Sequence, residues 1–546
     1  MAIYDLVVYG STSAAVAASI QAARLGRSVL LVSPHAHIGG IQVEGLGGSD
    51  IDNQPEFQNS TTLGGLNLEL HERISRNYGN GRPERLRKTV AERLRDPDVW
   101  RFESCVAEAV IAAWLAEHAT NITIVKSALA EQNAVQKSGR GTVEAITLVS
   151  GQTFHGRVFL EASYEGDLLA AAGVTTTHGR EARSVYNESL AGVRGHTPYR
   201  QIDVPVDPYV EAGNPASGLL YGISFEPLGS PGEGDKHLQS FSFRVLLTDD
   251  PANRVAPLGG SPQPAGYVPE RYELHRRFLR AGGFMYAPTI KVPRRKTDLI
   301  GSEAPLATDL LGLNDEWPTA TYARRAEILD EATTFTRGLL WFFANDEAVP
   351  ETYRSQWAAF GYCLDEFPDN NHFPRQLYVR DARRMVSDYI ITEHTATQDS
   401  SDSSDTHTPQ VDDPVAIAYW PTDTHSVRRI LRDGQPHNEG FIFKDGHRWR
   451  PFGIAYRALV PRRAEATNLL SATCPSASHV GYGAVRLEHQ FYALGQACAN
   501  AADLALMNGE TIVVQDVPYA ALRARLEEQG VVVDVRSVGL PTFPEK

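Results

Sequence analysis

Three groups of residues in this chain have the types and spacing to do chemistry. The first is a run of hydroxyls, Ser11-Thr12-Ser13, between Gly10 and Ala14. It sits where an apolar strand pattern (residues 4–9) meets an alanine-rich helical one (13–25). At a helix N-terminus the free N–H groups and the dipole favour an anion, so hydroxyls there suit a phosphate. The second group is a pair of histidines, His425 and His479. An imidazole trades a proton near neutral pH; the structural alternative is a ring held by a backbone carbonyl. The third is charge. Arg486 can hold a carboxylate or offset developing negative charge, or it can pair with Glu488 two residues on. Asp50 closes a glycine-dense run and either faces a ligand or caps a turn. Arg380, Arg383 and Arg384 share a face if 378–395 is helical, with pairing to Asp381 or to a sheet as their structural role.

The elements that must position these groups follow from periodicity. Residues 4–9 and 28–32 are short apolar strands, joined by the helix 13–25 that Gly26 ends, which makes a parallel βαβ unit. A dinucleotide fingerprint there reads G-x-G-x-x-G; this chain has G-S-T-S-A-A. Gly10 keeps the tight turn, Ala15 is tolerated in the helix packing, and Thr12 replaces the glycine that lets backbone approach a pyrophosphate. Ser33 stands where an acidic residue often holds the ribose. A phosphate-free α/β domain is the alternative. Gly39, Gly40, Gly45 and Gly47, within residues 37–50, imply that backbone approaches something closely. An amphipathic helix (103–118) leads into a β-meander that rejoins the main sheet at 158–162. Residues 195–300 carry short mixed strands, 317–360 is helical, and 395–413 is a polar, low-complexity exposed loop. Strand-like segments occupy 414–459, and a helix covers 488–507.

Bulk properties narrow the class. A chain of 546 residues exceeds one core, so two domains are expected. A net charge of −14 argues against a broad nucleic-acid footprint. No apolar run is long enough for a membrane span, and the start, MAIYDLVVYG, has no signal-peptide pattern. Four separated cysteines without a CxxC pair read as reduced thiols and a cytoplasmic setting. His35-x-His37 is too short a basis for zinc, so no metal is expected. A G-x-S-x-G elbow is absent.

Eight stretches appear in a familiar order. GSTSAAVAA (10–18) and IGGIQVEGLGGSD (38–50) are followed by LEASYEGDLLAAAGV (160–174), in which Ala162, Gly166 and Asp167 fit an A-T-G-x-G-D pattern while Ser163 and Tyr164 depart from it. YVRDARRMVSDYIITEHT (378–395) then precedes Asp423-Thr424-His425, Asn438-Glu439-Gly440 and YRALVPR (456–462). NLLSATCPSASHVGYGAVRLEHQFYALGQACANAA closes the series at 468–502. Together they resemble the FAD-dependent oxidoreductase family related to fumarate reductase and succinate dehydrogenase flavoproteins, within the two-dinucleotide-binding-domain flavoprotein superfamily. The likeness covers roughly 1–195 and 375–510.

The resemblance implies a Rossmann-like α/β fold: a discontinuous FAD-binding domain with a β-meander, and an inserted mixed α+β substrate domain. The parts are 1–195 (FAD-binding), 196–374 (substrate), 375–395 (an FAD-domain helix), 396–413 (the exposed loop), 414–455 (substrate-side strands), 456–510 (the FAD-domain return) and 511–546 (a tail). It implies non-covalent FAD held by Gly10, Ser11, Thr12, Ser13, Ala14, Ser33, Gly39, Gly40, Gly45, Gly47, Asp50, Ala162, Ser163, Asp167, Ser478 and Gly483. His479, by resemblance beside the flavin, is expected to be the base, with His425 on the substrate side and Arg486 beside the flavin. The expected reaction is two-electron oxidation, of dehydrogenase or oxidase type, of a small organic substrate such as a secondary metabolite or carbohydrate-like compound. A flavin monooxygenase, or a lyase-like, non-redox protein on this scaffold, are the alternatives.

Overall fold

The computed structural model describes residues 2–48, 50–52, 58–78, 86, 92, 97–139, 141–397, 411–443, 449–507 and 512–538. Its first unit is the βαβ pattern read from sequence. β1 (Ile3–Tyr9) runs into α1 (Ser13–Arg24) and β2 (Val29–Ser33). Both strands bury their apolar runs, as parallel strands covered on two faces must. Gly26 has φ +79, the left-handed conformation that ends a helix without a Cβ penalty.

The main sheet has the order β3-β2-β1-β6-β5-β4, where β3 is Ile122–Lys126, β4 Val135–Lys137, β5 Val143–Thr147 and β6 Thr153–Glu161. β6 serves two sheets' worth of pairing. Its N-terminal part pairs antiparallel with β5, closing the meander, and its C-terminal part, Phe159–Glu161, pairs in parallel with Leu469–Ser471. The carboxyl ends of β1, β6 and the late strand therefore lie side by side, although residues 9 and 471 are far apart in sequence. The helix Glu488–Met507 packs along α1, and both are buried along almost their whole length. Leu469 and the buried face of Glu488–Met507 thus return the end of the chain to its beginning.

Residues 196–374 are mixed. A four-stranded antiparallel sheet has the order Gly361–Tyr362, Leu247–Thr248, Lys296–Thr297, Ile290–Val292. The helices Glu273–Arg280, Tyr322–Asn345 and Glu351–Ala359 accompany it. Tyr272, His275, Phe335, Phe342, Phe343 and Trp357 form a continuous aromatic cluster among them.

Two sequence expectations are corrected. The stretch 378–395 is not a helix: it is extended, with a two-residue strand at Arg384–Met385 paired to Thr176–Thr177, and only Glu393–Ala396 is helical. Its arginines are spread over separate partners rather than sharing one face. Residues 511–546 are not simply a tail, because Tyr519–Glu528 is a helix that buries Leu522 and Leu526 against Glu488–Met507. Most of the expected loop at 396–413, residues 398–410, lies outside the described residues; Asp413 at its end is buried and pairs with Arg457. No helix among the described residues is long and apolar enough to cross a membrane.

Candidate functional site

Gly10 ends β1 with φ +139, and a Cβ there would lie 1.9 Å from the Ala162 carbonyl oxygen. Only glycine lets β1 turn into α1 so close to the end of β6. Thr12 is the N-cap of α1 and its hydroxyl donates to the Ala162 carbonyl at 2.7 Å. The Ser13 hydroxyl turns inward to the Glu488 carboxylate. Two of the three hydroxyls expected to reach a phosphate directly are therefore committed to protein partners. What the loop offers an anion is the backbone N–H groups of the first turn of α1. Ser11 accepts from Gly39 and Gly40 N–H through its carbonyl, at 2.7 and 2.8 Å, which folds the glycine-rich segment against the loop.

Tyr164, one of the two departures from the expected pattern, completes this junction. Its hydroxyl accepts from the Ile41 N–H at 3.0 Å and donates to the Glu488 carboxylate. A Cβ at Gly40 would meet that hydroxyl at 2.3 Å. Burial raises the Glu488 carboxyl to about 7, with the Ser13 and Tyr164 hydroxyls pulling it back. Glu488 does not pair with Arg486, so the ion pair considered from sequence is not formed. Glu161, at the end of β6, accepts from the Ser163 and Leu168 N–H groups at 2.7 Å each.

Beyond the carboxyl end of β3 lies a cavity of about 310 Å³ lined by Leu129, Ala130, Asp167, Tyr322, Arg325 and Arg383. Ligands of open α/β sheets bind outside the carboxyl ends of strands, and this volume suits an adenosine-sized group. Asp167 is held there by Arg325 (2.6 and 2.8 Å) and Arg383 (2.7 Å). Ser33 donates to the His35 carbonyl at 2.6 Å. His37 is engaged by Glu108 and by Asp369 at 2.8 Å.

A second cavity, of about 170 Å³, gathers Asp50, Arg244, Tyr378, Arg380, His425 and Arg486, with Trp420, Phe441 and Phe443 as aromatic wall. His425 Nδ1 lies 2.6 Å from Asp309 Oδ2. Burial, then Arg380, pulls the imidazole pKa below its ordinary value despite Asp309, so the ring is neutral at pH 7. That contact leaves Nε2 as the atom for proton exchange. Arg380 donates to the Ser240 carbonyl at 2.5 Å and to Ser242 at 2.8 Å, and lies 3.2 Å from Asp309. Arg486 clasps the Asp423 carbonyl at 3.0 and 3.1 Å and donates to the Tyr378 hydroxyl at 3.2 Å. Arg244 is paired in two-pronged fashion with Asp298, which also accepts from the Gly48 N–H at 2.8 Å. Burial raises the Asp50 carboxyl, with Arg244 opposing. Gly45 and Gly47 are close-approach positions as expected, but what approaches is protein: the Arg244 carbonyl at Gly45 and the Phe102 carbonyl at Gly47.

His479 lies elsewhere. Its Nδ1 meets Asp381 Oδ2 at 2.9 Å, its N–H donates to Glu181 at 2.8 Å, and Arg384 binds both carboxylates. Its Nε2 is buried without a partner among the described residues. Ser478 caps the following turn and donates to Glu188, while Gly483 packs on Asp423 and Thr424. The structure thus brings His425, Arg486 and Asp50 together and leaves His479 in a separate buried network.

Asp309, Tyr378, Arg244, Tyr164 and Glu488 were not named as site residues from sequence. Asp309 and Arg244 fall in 196–374, where the motifs give least; Tyr164 was visible as a departure without an assigned role. Glu103, Cys105 and Glu366 have a metal-like spacing, but Lys296 Nζ sits among them, 2.7 Å from Glu366, where a cation would lie.

The close backbone approach at Gly10, Gly40 and Ser163, beside the backbone N–H groups of the first turn of α1, fits a dinucleotide. Buried Gln42 Oε1 and His489 Nε2, which flank the Tyr164–Glu488 contact in sequence, have no partner among the described residues. Residues 5–526 match the family model described as "FAD dependent oxidoreductase". No curated protein matches the sequence. Solved structures resemble parts of the chain. One is L-proline dehydrogenase from P. horikoshii, at 13% identity over 32% of this chain and 57% of that one, with a TM-score of 0.23. Another is L-amino acid deaminase from Proteus vulgaris, at 15% identity over 33% and 53%, with a TM-score of 0.22. A third is the flavin-dependent brominase Bmp2, at 17% over 34% and 44%, with a TM-score of 0.21. The chain thus spans about half the length of these structures. On the match over 5–526, the chain belongs to the FAD-dependent oxidoreductase family.

Proposed function

We propose that the enzyme carries out two-electron oxidation, of dehydrogenase or oxidase type, of a small hydroxylated or carbohydrate-like organic substrate in the cavity around His425. The observation that carries this reading is His425, held by Asp309, in one cavity with Arg486, Arg380, Tyr378 and Asp50. FAD, when bound, supplies the two-electron acceptor. His425 accepts a substrate proton at Nε2 while Asp309 holds the ring through Nδ1, the arrangement by which a buried carboxylate fixes a histidine base. Arg486 and Arg380 orient a substrate oxygen, and Trp420, Phe441 and Phe443 shed water from the opposite wall. The first turn of α1 holds the cofactor's pyrophosphate, and the cavity beside Leu129 and Tyr322 takes its adenosine end. FAD is held non-covalently in this reading, and His37 is engaged by Glu108 and Asp369.

His479 is a positioning residue in this reading. With Asp381, Arg384 and Glu181 it fixes the turn from which Arg486 extends. The test is anaerobic mixing of the FAD-loaded protein with a panel of alcohols, sugars, amines and hydroxy acids. Bleaching of the flavin by a subset of the panel supports the reading. Rapid stoichiometric bleaching by NADH or NADPH alone overturns it in favour of a monooxygenase.

A further inference from the structure

The wall of the His425 cavity has a second side. Asp309, which holds His425 through Nδ1, lines a separate cavity of about 190 Å³ with Tyr221, Arg271, His275, Phe335 and Arg429. Two buried groups in it are unusual for this molecule. Eight arginines are buried among the described residues, and seven of them (Arg180, Arg244, Arg325, Arg380, Arg384, Arg428 and Arg486) have a carboxylate oxygen within 4.0 Å. Arg429 has none among the described residues. Its guanidinium meets only neutral acceptors: Asn438 Oδ1 at 2.8 Å and the Gly222 and Pro305 carbonyls at 3.3 and 3.4 Å. A buried guanidinium carries five N–H donors and a full charge, and proteins pair such charges. Burial pulls the Arg429 pKa down to about 10, which still leaves it charged at pH 7.

His275 is the second group. It is 6% exposed, and neither ring nitrogen has a partner among the described residues. Burial, with Arg429 and Arg276 adding to it, holds its pKa at about 3, so it presents a neutral imidazole with one N–H to give. Desolvating both nitrogens without a bond is uncompensated unless something binds there. The remaining surface is amphipathic. Phe335, Leu310 and Leu313 supply an apolar wall, and Arg271, stacked on the Tyr221 ring at 5.1 Å, stands half-buried. Glu331 accepts from the Tyr221 hydroxyl at 3.1 Å. One acceptor-hungry guanidinium, one free imidazole N–H and an apolar wall define the chemistry of a ligand.

We propose that this cavity binds a small carboxylate with an apolar body, of about the size of benzoate. Its carboxylate sits on Arg429 and the His275 N–H, and its body lies against Phe335 and Leu310. The site is distinct from the His425 cavity and does not depend on what that cavity oxidises.

The experiment is calorimetric titration of the FAD-loaded protein with benzoate, with benzamide as the uncharged isostere and inorganic phosphate as the anion without an apolar body. Benzoate is expected to bind once per chain, and benzamide and phosphate at least about tenfold more weakly, the loss expected for a missing charge-assisted hydrogen bond or apolar body. His275→Phe, which keeps the aromatic packing, and Arg429→Gln should each weaken benzoate by at least about tenfold. Folding of each variant is checked by thermal unfolding; if Arg429→Gln does not fold, His275→Phe carries the test. Equal binding of benzoate and benzamide, no benzoate heat, or wild-type affinity in folded His275→Phe overturns the proposal. Benzoate binding that is lost only in Arg486→Gln places the anion in the His425 cavity and overturns it as well. Because the readout is heat of binding, it stands whether or not any substrate bleaches the flavin.

Discussion

Adding one methyl group at the turn between β1 and α1 should disable both the fold and cofactor binding. In Gly10→Ala the new Cβ would lie 1.9 Å from the Ala162 oxygen, 2.1 Å from its carbonyl carbon and 2.6 Å from the Ser163 nitrogen. None of these atoms belongs to a flexible side chain. Three hydrogen bonds pin the place: Gly10 N–H to the Val32 carbonyl at 2.9 Å, Ala162 N–H to the Tyr9 carbonyl at 2.7 Å, and the Thr12 hydroxyl to the Ala162 carbonyl at 2.7 Å. Relief requires a backbone shift of more than about an ångström. Overpacking costs about 1–3 kcal/mol, an alanine held at positive φ about 1–3 kcal/mol, and one weakened hydrogen bond about 1 kcal/mol. A total of roughly 3–7 kcal/mol is a large share of a typical stability of about 5–15 kcal/mol. At roughly 2–4 °C per kcal/mol the unfolding midpoint should fall by about 6–28 °C. Circular dichroism melting of the apoprotein reads the first effect, and titration with FAD by flavin fluorescence the second. Wild-type melting together with wild-type FAD affinity would refute the assignment of this turn as the cofactor loop.

Other expectations follow from the same geometry. The His425 pKa lies below 6.5 because burial outweighs Asp309, and the base works when neutral. The rate of flavin reduction should therefore hold as pH falls to 6.5 and drop only below it; an acid limb above 6.5 contradicts this. Asp309→Asn removes the group that holds the ring and should slow reduction by about 10²–10⁴ with FAD binding intact, as single-turnover kinetics would show. The folded Glu488 carboxyl is raised to about 7 from 4.5, so its contribution to stability is complete below 4.5 and is lost as pH rises through 7. Glu488→Gln should flatten that dependence by at most about 3 kcal/mol, read from denaturant midpoints of the apoprotein across pH; an unchanged slope would mean that Glu488 is not buried as described. Acid precipitation should release all of the flavin into the supernatant, and flavin retained in the pellet would reveal a covalent bond.

Local chemistry made much of the FAD domain legible. The apolar runs at 4–9 and 28–32, the glycine at position 10 and the alanine-rich helix between them could form only one unit, and the structure has it. The meander and the helix Glu488–Met507 were legible for the same reason: strong periodicity with clear ends. The stretch 378–395 misled because Arg380, Arg383 and Arg384 fall at helical spacing. In the fold most of their partners are distant: Ser240 and Asp309 for Arg380, Asp167 for Arg383 and Glu181 for Arg384, whose pairing with the nearby Asp381 is the local one read from sequence. Such partners, set by tertiary contact, leave no periodic trace. The candidate site was legible in half. His425, Arg486 and Asp50 could be picked by type, but the Asp309 that holds His425 is 116 residues away and carries no motif. Tyr164 was visible only as a broken pattern, and its bond to Glu488 explains why the pattern breaks there.

The central claim is that the chemistry belongs to His425 rather than His479, and one comparison tests it most directly. With a substrate that bleaches the flavin, the anaerobic reduction rate is measured in a single turnover for the FAD-loaded wild type, His425→Ala and His479→Ala. The account predicts that His425→Ala keeps its flavin and slows by about 10²–10⁴, the range for loss of a general base. It predicts that His479→Ala loses far less rate at saturating substrate, with any effect in apparent affinity. A His479→Ala variant that is normally folded and flavin-loaded yet slowed into that range, beside a His425→Ala variant at the wild-type rate, would contradict it.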